Sequence, residues 1–378
     1  MTILPQPGLG LTVATFAVVI GVLVFIHEMG HYLVGRWLGI KADAFSIGFG
    51  REVVGWTDGR GTRWKIGLLP LGGYVRFAGD LDAASRPAEI VDAPPAERAV
   101  MFQLRPLWQR ALVIVAGPVT NFLFAILIFA GLFFVYGEPV TPPVVAGVIA
   151  GSAAADAGIH TGDRLVALDG VGVATFEQMV GIVTANPGTP ITVTIVRQGL
   201  SRQLTLRPRL VDQIDEFGQH SKVGRLGVIR GPRVVEPRSL PGAVVAGVRE
   251  VGSLIGTIAT GLGQVIGGHR SADELGGPIK IAKISGQAAA LGWTSLIQFV
   301  AFISINLGFI NLLPVPVLDG GHLFLYAVEA VRRRPLAIKV QQWAFMSGFA
   351  ALMSLMVFLT WNDLGGVGAW QRLSGLFG

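Results

Sequence analysis

Cysteine is absent from this sequence, which excludes disulfides, thiolate zinc knuckles, thiol catalysis and iron–sulfur clusters. Charge is the second scarcity. Only 14% of the 378 residues are Asp, Glu, Lys or Arg, against roughly 25% in an average soluble domain. A soluble chain of this size has too much surface to cover with so few. The charge that exists is a net +6, with 30 basic and 24 acidic residues. It forms no basic block of the kind that serves as a nucleic-acid arm, so no nucleic-acid partner is expected. The 52 glycines show no Gly-X-Y period, which excludes collagen. What the chain has in quantity is apolar side chains, 51% of the total. The class that remains is an integral membrane protein.

Four stretches free of charged residues, 8–26, 111–137, 291–318 and 340–362, are long enough to cross a bilayer, which takes about 20 residues of helix. The first has an uncharged leading segment, MTILPQP, and no small-residue cleavage pattern after it, so it reads as a span rather than a cleavable signal. Residues 1–10 carry no Lys or Arg, whereas 32–110 carry eleven; Arg332, Arg333, Arg334 and Lys339 lie between the third and fourth spans. The positive-inside rule puts 32–110 and 319–339 in the cytoplasm and both termini outside. The long segment 138–290 is then extracytoplasmic. Within it, 243–266 repeats apolar residues at three or four but holds Arg249 and Glu250. It reads as an amphipathic helix on the outer membrane surface, with a fifth span as the alternative.

The first apolar run leads into His27-Glu28-Met29-Gly30-His31, an HExxH pattern. On a helix the two histidines share one face and can bind one metal, and Glu28 is close enough to act on a water held there. The bland alternative, two interfacial histidines and a snorkelling glutamate, is disfavoured because ionisable groups within a span are functional by default. A catalytic zinc needs a third protein ligand. Asp319 is the strongest candidate: by the topology above it lies at the same cytoplasmic depth as His27, although Asp319-Gly320-Gly321 also reads as a plain turn. His322 is a partner or competing ligand. Pro314 and Pro316 preclude a regular helix just before Asp319.

Together these residues resemble the site-2 protease family of intramembrane zinc metalloproteases, in its bacterial regulator-of-sigma-E protease branch. The resemblance rests on HEMGH at 27–31, LLPLGGYVRF at 68–77, AGPVTN at 116–121, GGPI at 276–279 and NLGFINLLPVPVLDGGH at 306–322. It covers nearly the whole chain in order. It implies one zinc ion held by His27, His31 and Asp319, with Glu28 as the catalytic acid/base. It also implies that Asn306 and Asn311 hold substrate, together with Gly72, Gly73, Pro314 and Pro316. Read from the residues alone, either asparagine is equally a polar contact between helices.

The runs 45–56 and 62–77 flank a turn-rich link and read as a β-hairpin. In the family this region resembles a sheet dipping into the membrane, whose edge can pair with an extended substrate; an ordinary cytoplasmic hairpin is the plainer reading. Residues 141–209 resemble a single PDZ domain, a small β-barrel with helices, able to bind an extended peptide or to act as a plug. Residues 210–238 read as connecting sequence. The expected fold is thus a polytopic α-helical membrane protein of four transmembrane helices, with a membrane-associated β-hairpin and an inserted extracytoplasmic PDZ domain of α+β type. Its segments are 1–137, 138–210, 211–290 and 291–378. The resemblance implies an endopeptidase of the bacterial inner membrane, its active site near the cytoplasmic side. It would cleave single-span membrane proteins already shortened outside, such as an anti-sigma factor or a signal-peptide remnant, in contact with membrane lipid. A silent PDZ-bearing scaffold and a metal transporter are the alternatives, the latter lacking internal repeats and a polar path.

Overall fold

The computed structural model describes residues 7–80, 94–186, 188–214, 220–267 and 276–366. Residues 1–6 of the uncharged leading segment lie outside these. The chain divides into two compact units, one of Met1–Phe129, Gly247–Thr260 and Ala272–Gly378, the other of Ala130–Ala246 and Gly261–Ser271.

The first unit begins with α1 (Leu9–Trp37), whose histidine-bearing end is its buried end. Strands β1 (Ala42–Thr57) and β2 (Arg63–Phe77) follow as the expected hairpin. Asp58 closes its turn, accepting from the N–H groups of Arg60 and Thr62 and from Trp64 Nε1 at 2.9 Å. Those bonds, the Trp64 indole first, hold its carboxyl below the ordinary aspartate range. The strands bend, so Phe45 faces both Val75 and Trp64, and Ile47 faces both Gly73 and Ile66. The base of the hairpin packs Phe45, Val75 and Phe77 with Tyr32, Phe102, Val113 and Tyr326 into one apolar cluster; Phe45 stacks on Trp64 at 4.5 Å between ring centroids. Its other end leaves Val53, Val54, Trp56, Ile66, Leu68 and Leu69 exposed. Short α2 (Pro95–Arg98) leads to α3 (Leu107–Tyr136), which carries Pro118 in its interior.

The second unit holds β3 (Glu138–Val140), β4 (Val145–Val148), α4 (Ala153–Asp156), β5 (Arg164–Leu168), β6 (Val171–Gly172), α5 (Phe176–Ala185), β7 (Ile191–Arg197) and β8 (Leu200–Leu206). The sheet order is β6-β5-β7-β8. Alternation in ITVTIVR buries Ile191, Val193 and Ile195 completely against Leu165, Leu168 and Met179. Thr175 caps α5 by accepting from Gln178 N–H. Sequence pattern alone treats 210–238 as connecting chain, and here the structure differs. It has β9 (Arg209–Ile214), β10 (His220–Arg225), β11 (Val228–Arg230) and β12 (Val234–Glu236). β11 pairs with β4 and β12 with β3, so the unit's pairing runs well past 210. The last two are three residues each and their partners are some eighty or more residues distant, so no local periodicity marks them.

The remaining helices are α6 (Leu240–Ile266), α7 (Pro278–Ala290), α8 (Trp293–Asn311), α9 (Asp319–Arg332) and α10 (Ile338–Gly366). Among the described residues five helices, α1, α3, α6, α8 and α10, are long and apolar enough to cross a membrane. Four answer to the expected spans, and α6 is the segment read as amphipathic. The chain is a membrane protein of apolar helices and β structure.

Inside the second unit, Asp163 is 1% exposed and accepts from Arg197 Nε and Nη2, both at 2.7 Å, and from His160 N–H at 2.8 Å. The Arg197 hydrogen bonds hold its carboxyl below the ordinary aspartate value. A depressed folded pKa stabilises the fold fully above the unfolded value of about 3.9 and loses that contribution as pH falls through the folded value. The protection factors of the β5 and β7 amides should therefore be constant above about pH 5 and fall in acid. Arg197→Leu should remove most of that acid step.

Candidate metal centre

α1 places His27 and His31 one turn apart, and α9 opens on Asp319. Asp319 Oδ2 lies 3.1 Å from His27 Nε2 and 3.6 Å from His31 Nε2, and the two Nε2 atoms are 3.3 Å apart. Donors bound tetrahedrally at the roughly 2.0–2.1 Å typical of zinc sit about 3.3 Å from one another. Asp319 Oδ2 is buried and accepts no hydrogen bond, between two imidazoles that present their Nε2 atoms to it. A buried carboxylate oxygen without a donor is expensive, and a divalent cation among the three atoms removes the expense. The donor set therefore fits zinc. Among the described residues this is the group of three that converges in this way, its ligand atoms all within 4.8 Å.

The third candidate donor, Asp319, is delivered by an irregular loop. Leu312 ends α8, and Leu318 N–H bonds Val315 O at 3.1 Å across Pro316 and Val317. Val317 has φ 89°, in the position of a type II turn that ordinarily requires glycine or asparagine, while Pro316 fills the position proline favours. The prolines thus do break the helix as expected. Gly320 and Gly321 explain why the loop can fold onto the first turn of α9. A Cβ on Gly320 would collide with the carbonyls of Leu312 and Leu313, and one on Gly321 with the carbonyl of Val315. Gly348 of α10 is similarly pressed against Pro316.

Other residues singled out by sequence fall as follows. Glu28 is buried beside the ligands, within hydrogen-bonding reach of the Val75 backbone. Gly73 lies against it, since an added Cβ would press on Val24 and the Glu28 side chain. Gly72 adopts φ 96° and packs on Phe49. Asn311 Nδ2 is 3.4 Å from His27 Nε2, so it faces the cluster. Asn306 does not: its amide donates to its own helix, to Phe302 O at 2.9 Å. Pro314 is exposed and Pro316 half-buried in the loop. His322 is buried with its ring 4.8 Å from that of Phe345 and is not one of the three donors.

Sequence reading makes 111–137 a span and counts 116–121 among the family motifs but assigns α3 no site residue, yet that helix backs the cluster. Val113 O accepts from His31 Nδ1 at 2.8 Å. Pro118, inside the same helix, lacks an N–H and so leaves the Ile114 carbonyl, next to Val113, without its helical donor. Gly117 leaves the gap into which both histidine rings fit: a Cβ there would collide with His31 Nε2 and meet His27 Cε1 at 2.9 Å. Gly30 of α1 allows the same closeness, against Thr120 and the Ala116 carbonyl. The legible signal was glycine beside proline within an apolar span.

Fold and centre together define a class, a membrane metallohydrolase whose candidate metal donors are two histidines of an apolar helix and an aspartate at the start of α9. The family model described as Peptidase family M50 matches residues 15–355, and the chain belongs to that family. A protein of Agrobacterium fabrum named "Putative zinc metalloprotease Atu1380" is 48% identical over 93% of this chain and 95% of its own. A Rhizobium meliloti relative with the same style of name is 46% identical over 93% and 96%. The metalloprotease MmpA of Caulobacter vibrioides is 39% identical over 95% and 96%. The chain is accordingly a membrane zinc metalloprotease of the site-2 protease family, acting on protein substrates.

Gly117→Ala tests the packing of the centre. Overfilling a packed site costs about 1–3 kcal/mol, and here the added methyl falls on the ligands themselves. Zinc affinity, read by dialysis against a chelator, should drop about 5–150-fold, since about 1.4 kcal/mol is a factor of ten. Gly131→Ala, in the same helix with open space around its Cα, should retain zinc like the wild type.

Proposed function

We propose that this chain is an intramembrane endopeptidase that hydrolyses a peptide bond within the transmembrane segment of single-span proteins whose outer portion has already been removed. The observation that carries this reading is a catalytic-type glutamate buried beside a convergent His–His–Asp cluster whose two histidines lie on a helix apolar enough to cross a bilayer. His27, His31 and Asp319 would hold one zinc ion. When bound, zinc supplies a Lewis acid for the scissile carbonyl and makes water a competent nucleophile near neutral pH.

Glu28 takes the proton of the attacking water and returns it to the leaving amine. Glu28 lies within reach of the Val75 backbone in β2, which supports a proton carrier working beside a strand. That juxtaposition matters chemically. A peptide bond inside a helix has its carbonyl hydrogen-bonded and its backbone sheathed by side chains, so a span must be extended before attack. The backbone around Gly72 and Gly73 offers an extended segment a partner for its freed N–H and C=O groups. Asn311, facing the cluster, is suited to donate to the substrate carbonyl oxygen; Asn306 would have to leave its bond to Phe302 to join it.

The reading extends to topology. The protein would lie in the bacterial inner membrane with both termini and the 138–210 segment outside, and with the centre toward the cytoplasmic face. That segment, with a four-stranded sheet and the capped α5, is read as a PDZ domain that admits or engages shortened substrates. Anti-sigma-factor-like proteins and remnant signal peptides are the substrate classes that suit such a filter.

Glu28→Gln should retain zinc and lower cleavage by about 10²–10⁴-fold, the usual contribution of a positioned acid/base. Co-expression with tagged single-span proteins, followed by accumulation of the uncut stub, reads this directly. Cleavage at the wild-type rate would overturn the assignment.

A further inference from the structure

α3 presents three residues at four-residue spacing, Val113, Gly117 and Asn121, along one face that meets His31 and His27 of α1 in reverse order. Val113 O fixes the Nδ1 of His31 at 2.8 Å, and Gly117 leaves room for both rings. Asn121, fully buried, sets its side-chain amide 3.1 Å from His27 Nδ1. Its backbone carbonyl is also fixed, accepting from Ser304 Oγ at 2.8 Å. An asparagine in the interior of an apolar span needs a reason, and among the described residues the side-chain partner of its amide is this imidazole.

We propose that Asn121 is a positioning residue that selects the metal-binding tautomer of His27. The inference rests on the His27–His31–Asp319 reading of the centre. For His27 to present a bare Nε2, its proton must sit on Nδ1, and an acceptor must face it. The amide oxygen of Asn121 is that acceptor once the amide is turned so that Oδ1 faces the ring. The two ends of an asparagine amide are alike in size, so the turn needs no new space. With nitrogen toward the ring instead, Nδ1 accepts and the proton moves to Nε2, against the metal; in that orientation Oδ1 is left buried without a partner. Asn121 thus does for His27 what the Val113 carbonyl does for His31. A side chain is needed on one side and a backbone carbonyl suffices on the other.

The test is zinc affinity of the purified full-length protein, by competition with a chromophoric chelator, supported by the visible spectrum of the cobalt(II)-substituted form. Asn121→Ala and the near-isosteric Asn121→Leu should weaken zinc about 10–100-fold, the usual effect of losing such a partner, and alter the cobalt spectrum. Asn121→Asp, whose carboxylate accepts the same N–H, should bind at least as tightly as the wild type. A packing role predicts the reverse order, because an ionised carboxylate in the span is costlier than a truncated or apolar side chain. Wild-type affinity in both Ala and Leu variants, or Asp weaker than Ala, overturns the proposal. Equal zinc binding by wild type and His27→Ala would overturn the metal-centre reading beneath it, a different result from either.

Discussion

Three donor atoms from two distant parts of the chain meet within 3.6 Å of one another where water is scarce. In that setting each polar atom must be satisfied within the protein, because an orphan costs several kcal/mol that the bilayer cannot return. The constraint reaches beyond the donors. Both imidazole Nδ1 atoms face polar groups of α3, one a carbonyl and one an amide. Such reach is possible only if the two helices approach more closely than ordinary side chains allow. Gly30 and Gly117 at the crossing provide that approach, each occupying a spot where a Cβ would strike the other helix or its histidines. The small residues and the metal donors are one requirement seen twice.

Delivering the third donor is harder than delivering the first two. His27 and His31 share a face by the period of the helix alone. Asp319 follows a break in which α8 stops, a turn reverses the chain and α9 starts. Val317 in the positive-φ region is where this is felt: a β-branched residue there costs on the order of 1–3 kcal/mol and survives only if its surroundings over-determine it. Pro316 on one side, fixed by its own ring and pressed against Gly348, and the carbonyls packed on Gly320 and Gly321 on the other, are those surroundings. The glycines after Asp319 are therefore more than a loose turn. They let the loop's carbonyls sit on the helix start and aim the carboxylate.

How far all this was legible follows from which parts are local. The histidine pair, Glu28 and the helix breakers are encoded within a few residues, and the hairpin and the strands of 191–206 show in their alternation. Asp319 was reachable because charge is so scarce near the spans that an aspartate at matching depth stands out. The backing by α3 was not reachable by the same logic, since Gly117 and Asn121 acquire meaning only when α1 is laid beside them. Asn306 and Asn311 look alike in sequence, five residues apart, yet that spacing turns them to different sides of α8, and one bonds its own helix while the other faces His27. β11 and β12 were invisible because a three-residue strand is specified by its partner, not by its own pattern.

One ion pair distant from the donors bears on the same problem. Arg110, at the start of α3, donates to Glu329 in α9 at 3.1 Å, and Glu329 also accepts from Leu336 N–H at 2.9 Å. The guanidinium stands over the Tyr326 ring, 4.7 Å from its centre. With both side chains largely buried, the pair gains little over an apolar contact, but losing one partner costs about 3–5 kcal/mol. Its value is in register. Arg110 precedes Val113 by one turn, and Glu329 sits on the helix that begins with Asp319. Sliding α3 along α9 by a turn would break the pair and the ring contact together. The axial position of the helix that orients the histidines is thereby tied to that of the helix that supplies the carboxylate, by a link that touches neither. A cluster tolerant of only a few tenths of an ångström in its donor spacings needs such a tie, because slippery apolar helix faces alone define depth poorly.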